Sequence, residues 1–442
     1  MARGATEDVQ TAAASGRVAP LRVAVLGFGT VGQSVVRILT ERPELGADVS
    51  LTAIFNRNIA KKRAAWVASV APAVTWTDDV AALLATRPDV VVETVGGVDL
   101  PYGWISAALK QGISVVTANK LLLAAHAPEL LALASANGAR LRFEAAVAGG
   151  VPIIDAVRTG LAGDTFTRVV GILNGTCNYI LSRMTGGDSM ADALGEAQRL
   201  GFAEADPTSD LDGHDAAAKL AVLVGVAFQR YIRTAEIPTG SIRRIDAIDV
   251  RYARRLGGTI RQLSMAECDA HGAVWACVGP ALVPDASNYA RNTGPQNLVT
   301  LTGRFGGNTT FSGQGAGGHP TAVAVVSDLI ALARQGRGGG AGGGDAPWTR
   351  TPVAPQPARP YYLRFSVKDR PGILASITVA LARHGINVDA VLQESGFPKD
   401  HLPFVVTVEP CEGTALDGAM RDIEAEDFHA EPVLVMPVLP GE

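Results

Sequence analysis

Two apolar rhythms divide this chain. Leu21–Leu26 is a short apolar run, followed by Gly27-Phe28-Gly29-Thr30-Val31-Gly32 and then by a helical segment, QSVVRILTERP, that ends near Pro43. Val49–Phe55, Asp89–Val92 and Ile113–Thr117 are further buried-strand runs with helices between them. Leu141–Ala146 predicts one more strand, leading into Val147-Ala148-Gly149-Gly150-Val151-Pro152. Strands alternating with helices predict an α/β fold built on a doubly wound sheet.

From about residue 152 the rhythm changes. Helices over Ser189–Leu200 and Asp215–Phe228 mix with strand-like pieces at Val274–Val278 and Val299–Thr302, which predicts an α+β domain. SGQGAGGHP (312–320) is a second glycine turn. A helix from Pro320 to about Arg334 should present Val323, Val326, Ile330 and Ala333 on its apolar face. The Gly/Pro-rich stretch 335–360 reads as a flexible linker. Beyond it lie strand Tyr361–Val367, turn Lys368–Gly372, helix Ile373–His384, strands Ile386–Gln393 and Phe404–Val408, helix Ala415–Ala425 and strand Pro432–Val438. That βαββαβ order is a ferredoxin-like unit. The expected organisation is a disordered leader (1–19), a Rossmann-like nucleotide-binding domain (20–150, with return helix 318–334), a substrate and dimerisation domain (151–317), the linker, and a terminal domain (361–440).

Composition narrows the class. The 442 residues are 47% hydrophobic and 19% charged, with net charge −4, enough apolar material for two or three cores. No basic block suggests nucleic acid or an anionic membrane. No apolar run approaches the roughly 20 residues of a membrane span, and the leader lacks a signal peptide's apolar core. Cys177, Cys268, Cys277 and Cys411 have neither metal-ligand spacing nor disulfide density, which suits free thiols and a cytoplasmic location.

The candidate chemistry falls at three places. Gly27, Gly29 and Gly32 stand between a strand and a helix, where they let the backbone approach a pyrophosphate at the helix N-terminus; the alternative is a purely structural turn. After the second strand comes Asn56-Arg57, with Lys61, Lys62 and Arg63 close behind, where an acidic residue would favour NAD. This predicts NADP, with NAD possible, against a merely solvated basic turn. Thr117-Ala118-Asn119-Lys120 follows a parallel strand at its ligand-binding end, so Lys120 can meet a substrate oxygen or simply start a helix in solvent. Third, LGFAEADPTSDLDGHDAAAKL (200–220) packs Glu204, Asp206, Asp210, Asp212 and Asp215 into twelve positions, with Lys219 at i,i+4 from Asp215. Either a cation offsets the repulsion or the run is a solvated, helix-capping loop.

Together VLGFGTVGQ, VTANK, FEAAVAGGVPII, GILNGTCNYIL, GFAEADPTSDLDGHDAAAKLA and GAGGHPTAVAVVSDL resemble the homoserine dehydrogenases over roughly residues 21–440. The terminal unit resembles an ACT domain. The resemblance implies interconversion of L-homoserine and L-aspartate 4-semialdehyde by a nicotinamide cofactor, in threonine, methionine and isoleucine biosynthesis. It implies Lys219 and Lys120 at the reacting oxygen, Asp215 holding Lys219, and substrate contacts from Glu204, Asp210, Gly175 and Thr176. Cofactor contacts fall on Gly27, Gly29, Thr30, Val31, Gly32, Asn56, Arg57, Thr94, Thr117, Asn119 and Lys120. A monovalent cation such as sodium would sit on Glu144 and the backbone of Val147, Gly149 and Val151. In the ACT domain Asp369, Gly372 and Asn387 would shape a pocket for L-threonine, although the domain could instead only stabilise an oligomer. A homodimer or homotetramer is expected. Phe202 stands where the family commonly has Tyr, which keeps a different amino-acid semialdehyde open as substrate, and a non-catalytic sensor is the reading from another class.

Overall fold

The computed structural model describes residues 19–66, 69–336 and 346–439. The leader expected over 1–19 lies outside the described residues except for Ala19, as do 337–345 of the linker. The first layer runs β1 (Leu21–Leu26), α1 (Thr30–Glu41), β2 (Val49–Phe55), α2 (Ile59–Trp66), β3 (Thr75–Thr77), α3 (Val80–Ala85), β4 (Val90–Glu93), α4 (Asp99–Lys110), β5 (Ser114–Thr117), α5 (Lys120–Ala136) and β6 (Leu141–Arg142). All pairings are parallel, in the order β3-β2-β1-β4-β5-β6. The order reverses between β1 and β4, which opens a crevice at the strands' C-terminal ends. β4 is buried along its whole length, which is why it reads as an unbroken apolar run, VVVE, until its last residue.

The strand expected over Leu141–Ala146 is shorter. Pairing stops at Arg142, and Glu144–Ala146 form a 3-10 turn. The cause is Glu144: its backbone N–H donates to Asp328 at 2.9 Å, so it is not free for a strand ladder.

The second region contains α6 (Ile153–Asp155), β7 (Phe166–Ile172), α7 (Gly175–Gly186), α8 (Met190–Arg199), α9 (Thr208–Leu211), α10 (His214–Phe228), β8 (Arg230–Tyr231), α11 (Ala247–Arg255), β9 (Gly258–Cys268), β10 (Val274–Pro284), α12 (Asn288–Arg291), β11 (Gln296–Gly303) and β12 (Gly307–Gln314). Its five-stranded antiparallel sheet has the order β10-β9-β7-β11-β12. Apart from His214, Asp215 and Lys219, α10 is apolar and almost wholly buried, packing against this sheet and against α5 of the first layer.

α13 (Gly318–Gln335) carries the chain back to the first layer and packs on α1. It begins at Gly318, so Pro320 lies within its first turn, where a missing N–H costs nothing. The expected apolar face is rotated. Val323 is exposed, and Ala322, Val325, Val326, Leu329 and Leu332 are buried, because α1 approaches from their side.

The Gly/Pro-rich stretch is not a loose tether over its described part. Trp348 is 4% exposed and lies against Gly225 of α10; its ring meets Phe143 edge-on at 6.0 Å. β13 (Thr349–Arg350) pairs in parallel with β8, and Ala354 N–H donates to Val274 O at 2.9 Å. An indole and a strand partner outweigh what Gly and Pro content suggests. The terminal unit follows as β14 (Arg359–Val367), α14 (Ile373–Arg383), β15 (Val388–Gln393), β16 (Leu402–Cys411), α15 (Gly413–Glu424) and β17 (His429–Pro437), with sheet order β15-β16-β14-β17.

Candidate active site

The nucleotide turn is fixed by steric necessity. Gly27 has φ +111°, and a Cβ there would lie 2.8 Å from the Thr94 carbonyl carbon. A Cβ on Gly32 would lie 1.9 Å from Gly27 O. Thr94 Oγ1 donates to Gly27 O at 2.8 Å and ties β4's exit to this turn. α1 has no side-chain cap at Gly29, so its first amides face the crevice unclaimed by a side chain, as an anion requires. Lys62 Nζ donates to Phe28 O at 2.5 Å, which sets a positive charge beside the turn. Asn56 follows β2 and its Oδ1 accepts from Asn58 N–H at 3.1 Å; Arg57 is exposed next to it.

The neighbouring strand ends are cross-linked. Thr117 Oγ1 accepts from Asn119 N–H at 3.0 Å. Asn119 caps α5 by accepting from Leu122 N–H at 3.1 Å, and its Nδ2 donates to Gly97 O at 2.7 Å. Lys120 is therefore the first residue of a capped helix at the crevice.

At the crevice the two regions meet through one carboxylate. Lys219 Nζ is 2.7 Å from Asp215 Oδ2, and Lys120 Nζ is 3.2 Å from Asp215 Oδ1. Lys219 also donates to Leu173 O at 2.8 Å, a carbonyl shared with Asn297 Nδ2 at 3.1 Å. Asn174 caps α7 by accepting from Cys177 N–H at 2.8 Å, and its Nδ2 donates to Asp215 at 2.9 Å and Asp210 at 2.7 Å. Burial alone would raise Asp215, but Lys219 and Lys120 outweigh it and hold the carboxyl well below the usual carboxylate range. Burial raises Asp210, and the charge of Asp215 adds to this against the Asn174 hydrogen bond. A lysine fixed this way can pass a proton to or from an oxygen in the crevice.

The other carboxylates of the acidic run divide by partner. Asp212 pairs with Arg243 at 3.1 Å and accepts from Ser241, and Asp206 accepts from Thr208 N–H, so both are structural. Glu204 is exposed on the loop after α8, where its backbone carbonyl accepts from Gln198 Nε2 at 3.1 Å. Thr176 Oγ1 donates to Phe202 O at 2.6 Å, joining α7 to that loop. Gly175 starts α7 where a Cβ would meet Pro295 O at 2.6 Å.

Comparison with known proteins matches these two regions separately. A model described as "Homoserine dehydrogenase, NAD binding domain" matches residues 27–144, one described as "Homoserine dehydrogenase" matches 152–330, and an ACT domain model matches 361–428. The chain is 39% identical to homoserine dehydrogenase of Corynebacterium glutamicum over 84% of this chain and 85% of that one. It is 41% identical to that of Mycobacterium tuberculosis over 85% and 87%. The chain belongs to the homoserine dehydrogenase family. The crystal structure of a homoserine dehydrogenase from Thiobacillus denitrificans superposes with a TM-score of 0.85 at 34% identity, covering 95% of this chain and 98% of that one. As a family member the chain is an NAD(P)-dependent oxidoreductase acting on CH–OH.

Two further homoserine dehydrogenase features were expected. Glu144 is buried, and its carboxylate accepts from Ile154 N–H at 2.9 Å and Asp155 N–H at 2.6 Å. A carboxylate has about four lone-pair positions, so both oxygens keep one for a cation. Ala148 and Gly149 both have φ +53°, and this tight turn presses Gly149 against Gly315. The Val151 carbonyl accepts from Ile153 N–H at 2.8 Å and keeps its second lone pair. Hard oxygens around a turn fit a monovalent cation. In the ACT domain, Gly372 takes φ +96° at the start of α14, Asp369 N–H donates to Lys399 O at 2.6 Å, and Asn387 donates to Glu409 at 3.1 Å.

The ACT sheet is welded to the catalytic region. Tyr362 donates to Asp249 of α11 at 2.9 Å, and Arg364 Nε lies 2.9 Å from the same carboxylate, which is fully buried. Burial pushes Asp249 up while Arg364 opposes it. Among the described residues no helix is long and apolar enough to cross a membrane.

Proposed function

We propose that this chain oxidises L-homoserine to L-aspartate 4-semialdehyde and catalyses the reverse reduction. The observation that carries the reading is Asp215 held between Lys219 and Lys120 from two different domains, the one with Lys120 also carrying the glycine turn. Bound nicotinamide supplies the hydride acceptor or donor. Lys219 and Lys120 face the reacting oxygen; one takes the hydroxyl proton in oxidation and returns it in reduction. Asp215 and the Leu173 carbonyl fix Lys219 and leave it one direction of approach. Glu204 grips the substrate ammonium from its loop, with Asp210 behind it, while Gly175 and Thr176 shape the substrate side. The turn Gly27, Gly29, Thr30, Val31 and Gly32 carries the pyrophosphate, and Thr94, Thr117 and Asn119 line the nicotinamide end. Asn56 and Arg57, with Lys62 nearby, favour NADP over NAD. Glu144, Val147, Gly149 and Val151 hold a monovalent cation. Asp369, Gly372 and Asn387 belong to an L-threonine pocket that slows turnover, and the working unit is a dimer or tetramer.

The test is absorbance of the reduced nicotinamide band with L-homoserine and either cofactor, with sodium present and threonine absent. Turnover by the wild type and collapse in Lys219→Ala support the reading. No turnover with either cofactor discards it and promotes another amino-acid semialdehyde as substrate.

A further inference from the structure

A charged residue ends the most buried strand of the nucleotide domain. Glu93 is 0% exposed and closes β4, beside the point where the strand order reverses. Its Oε1 accepts from Val95 N–H at 2.7 Å and Gly96 N–H at 3.1 Å. Its Oε2 accepts from Thr117 Oγ1 at 2.5 Å. One carboxylate thus holds the 94–97 loop and the end of β5 together. The ring closes on the other side, because Thr117 Oγ1 accepts from Asn119 N–H and Asn119 Nδ2 donates to Gly97 O. Gly96 and Gly97 take φ +81° and +77°, and both are exposed, so this loop has little stiffness of its own. Lys120 follows Asn119 directly and reaches Asp215 from there.

We propose that Glu93 is a positioning residue: it clamps both loops of the crevice and so sets where Lys120 stands against Asp215 and the reacting oxygen. The inference rests on the reading of Lys120 given above. A buried carboxylate bound by three donors is costly to keep in an apolar strand end unless those donors need a fixed partner. Shape alone would be served by Gln. In Glu93→Gln the amide oxygen still accepts from Val95 and Gly96, but its nitrogen can only donate toward Thr117, which leaves the Thr117 hydroxyl proton without its acceptor.

The test is a double-mutant cycle on kcat/KM for homoserine with Glu93→Ala, Glu93→Gln and Lys120→Ala. Glu93→Ala should lose roughly 10- to 100-fold in the wild-type background, mostly in kcat, as expected for a displaced group. In the Lys120→Ala background the same change should cost under about 3-fold, and Glu93→Gln should fall between. Equal losses in both backgrounds overturn the proposal. Amide hydrogen exchange reads the clamp without turnover. Val95, Gly96 and Asn119 should be protected in the wild type and lose protection together in Glu93→Ala; unchanged exchange also overturns the proposal. An inactive wild type would instead count against the homoserine reading while exchange still decides the clamp. Should Glu93→Ala fail to fold, Glu93→Gln carries both measurements.

Discussion

Removing the indole at Trp348 tests whether the Gly/Pro-rich segment is part of the catalytic core. The ring is 4% exposed, lies on Gly225 of α10 and meets Phe143. Burying an indole takes roughly 150–250 Å2 from water, worth about 4–6 kcal/mol, and aromatic-to-alanine changes in cores cost about 3–5 kcal/mol. Trp348→Ala should therefore lower stability by about 3–5 kcal/mol in guanidinium unfolding followed by far-UV circular dichroism. Gly225 supplies the sharper control. A Cβ there would lie 2.2 Å from Trp348 Cε3, so Gly225→Ala must displace the ring and should cost about 1–3 kcal/mol. With the indole gone, the same change should stabilise by up to about 1 kcal/mol, the helix preference of Ala over Gly. The sign reverses, giving a coupling of about 1–4 kcal/mol. A loss under about 1 kcal/mol for Trp348→Ala, or one sign for Gly225→Ala in both backgrounds, refutes the packing argument.

Gly32→Ala should abolish nucleotide binding, measured by fluorescence titration with NADPH, because its methyl meets Gly27 O at 1.9 Å; wild-type affinity would refute the steric argument. Burial raises the Cys177 thiol well above its usual range, so a thiol reagent at pH 8 should leave it unmodified until the chain unfolds. Asp215 is held below its ordinary value, so its stabilising contribution is complete above about pH 4 and is lost only as pH falls toward its folded value. Wild type and Asp215→Asn should therefore differ in stability at pH 7 and converge in strong acid; a constant difference would contradict this. Arg364→Ala leaves Asp249 buried without its cation and should cost about 3–5 kcal/mol in the same unfolding assay.

Much of the nucleotide turn was legible because its cause is local. Gly27 and Gly32 are read from spacing since the contacts that demand them lie within one strand–turn–helix unit and its neighbour. The Asp215–Lys219 pair was legible from helical spacing for the same reason. Lys120 was named from its place after a parallel strand, but its pairing with Asp215 needed the fold, because α5 and α10 are about a hundred residues apart in sequence and meet only by packing. Glu93 carried one signal, a lone carboxylate closing an apolar run, which composition treats as a strand end. β9 was missed because it lacks alternation: Arg261, Gln262 and Ser264 are all buried, with Arg261 bonded to the Tyr289 and Ala290 carbonyls. The linker was misjudged because Gly and Pro counts say nothing of an indole whose partner, Gly225, lies on α10, more than a hundred residues earlier in the chain.

The buried meeting of Asp249 with Tyr362 and Arg364 bears on how such a protein can be recombined. A terminal unit that keeps its tyrosine and arginine in a neighbour's interior is not a free-standing bead. Grafting it onto a relative lacking the aspartate leaves Arg364 only Glu431 of its own sheet as a carboxylate partner; leaving it off strands an anion. The three residues must be inherited as a set, wherever the seam for swapping terminal units is placed.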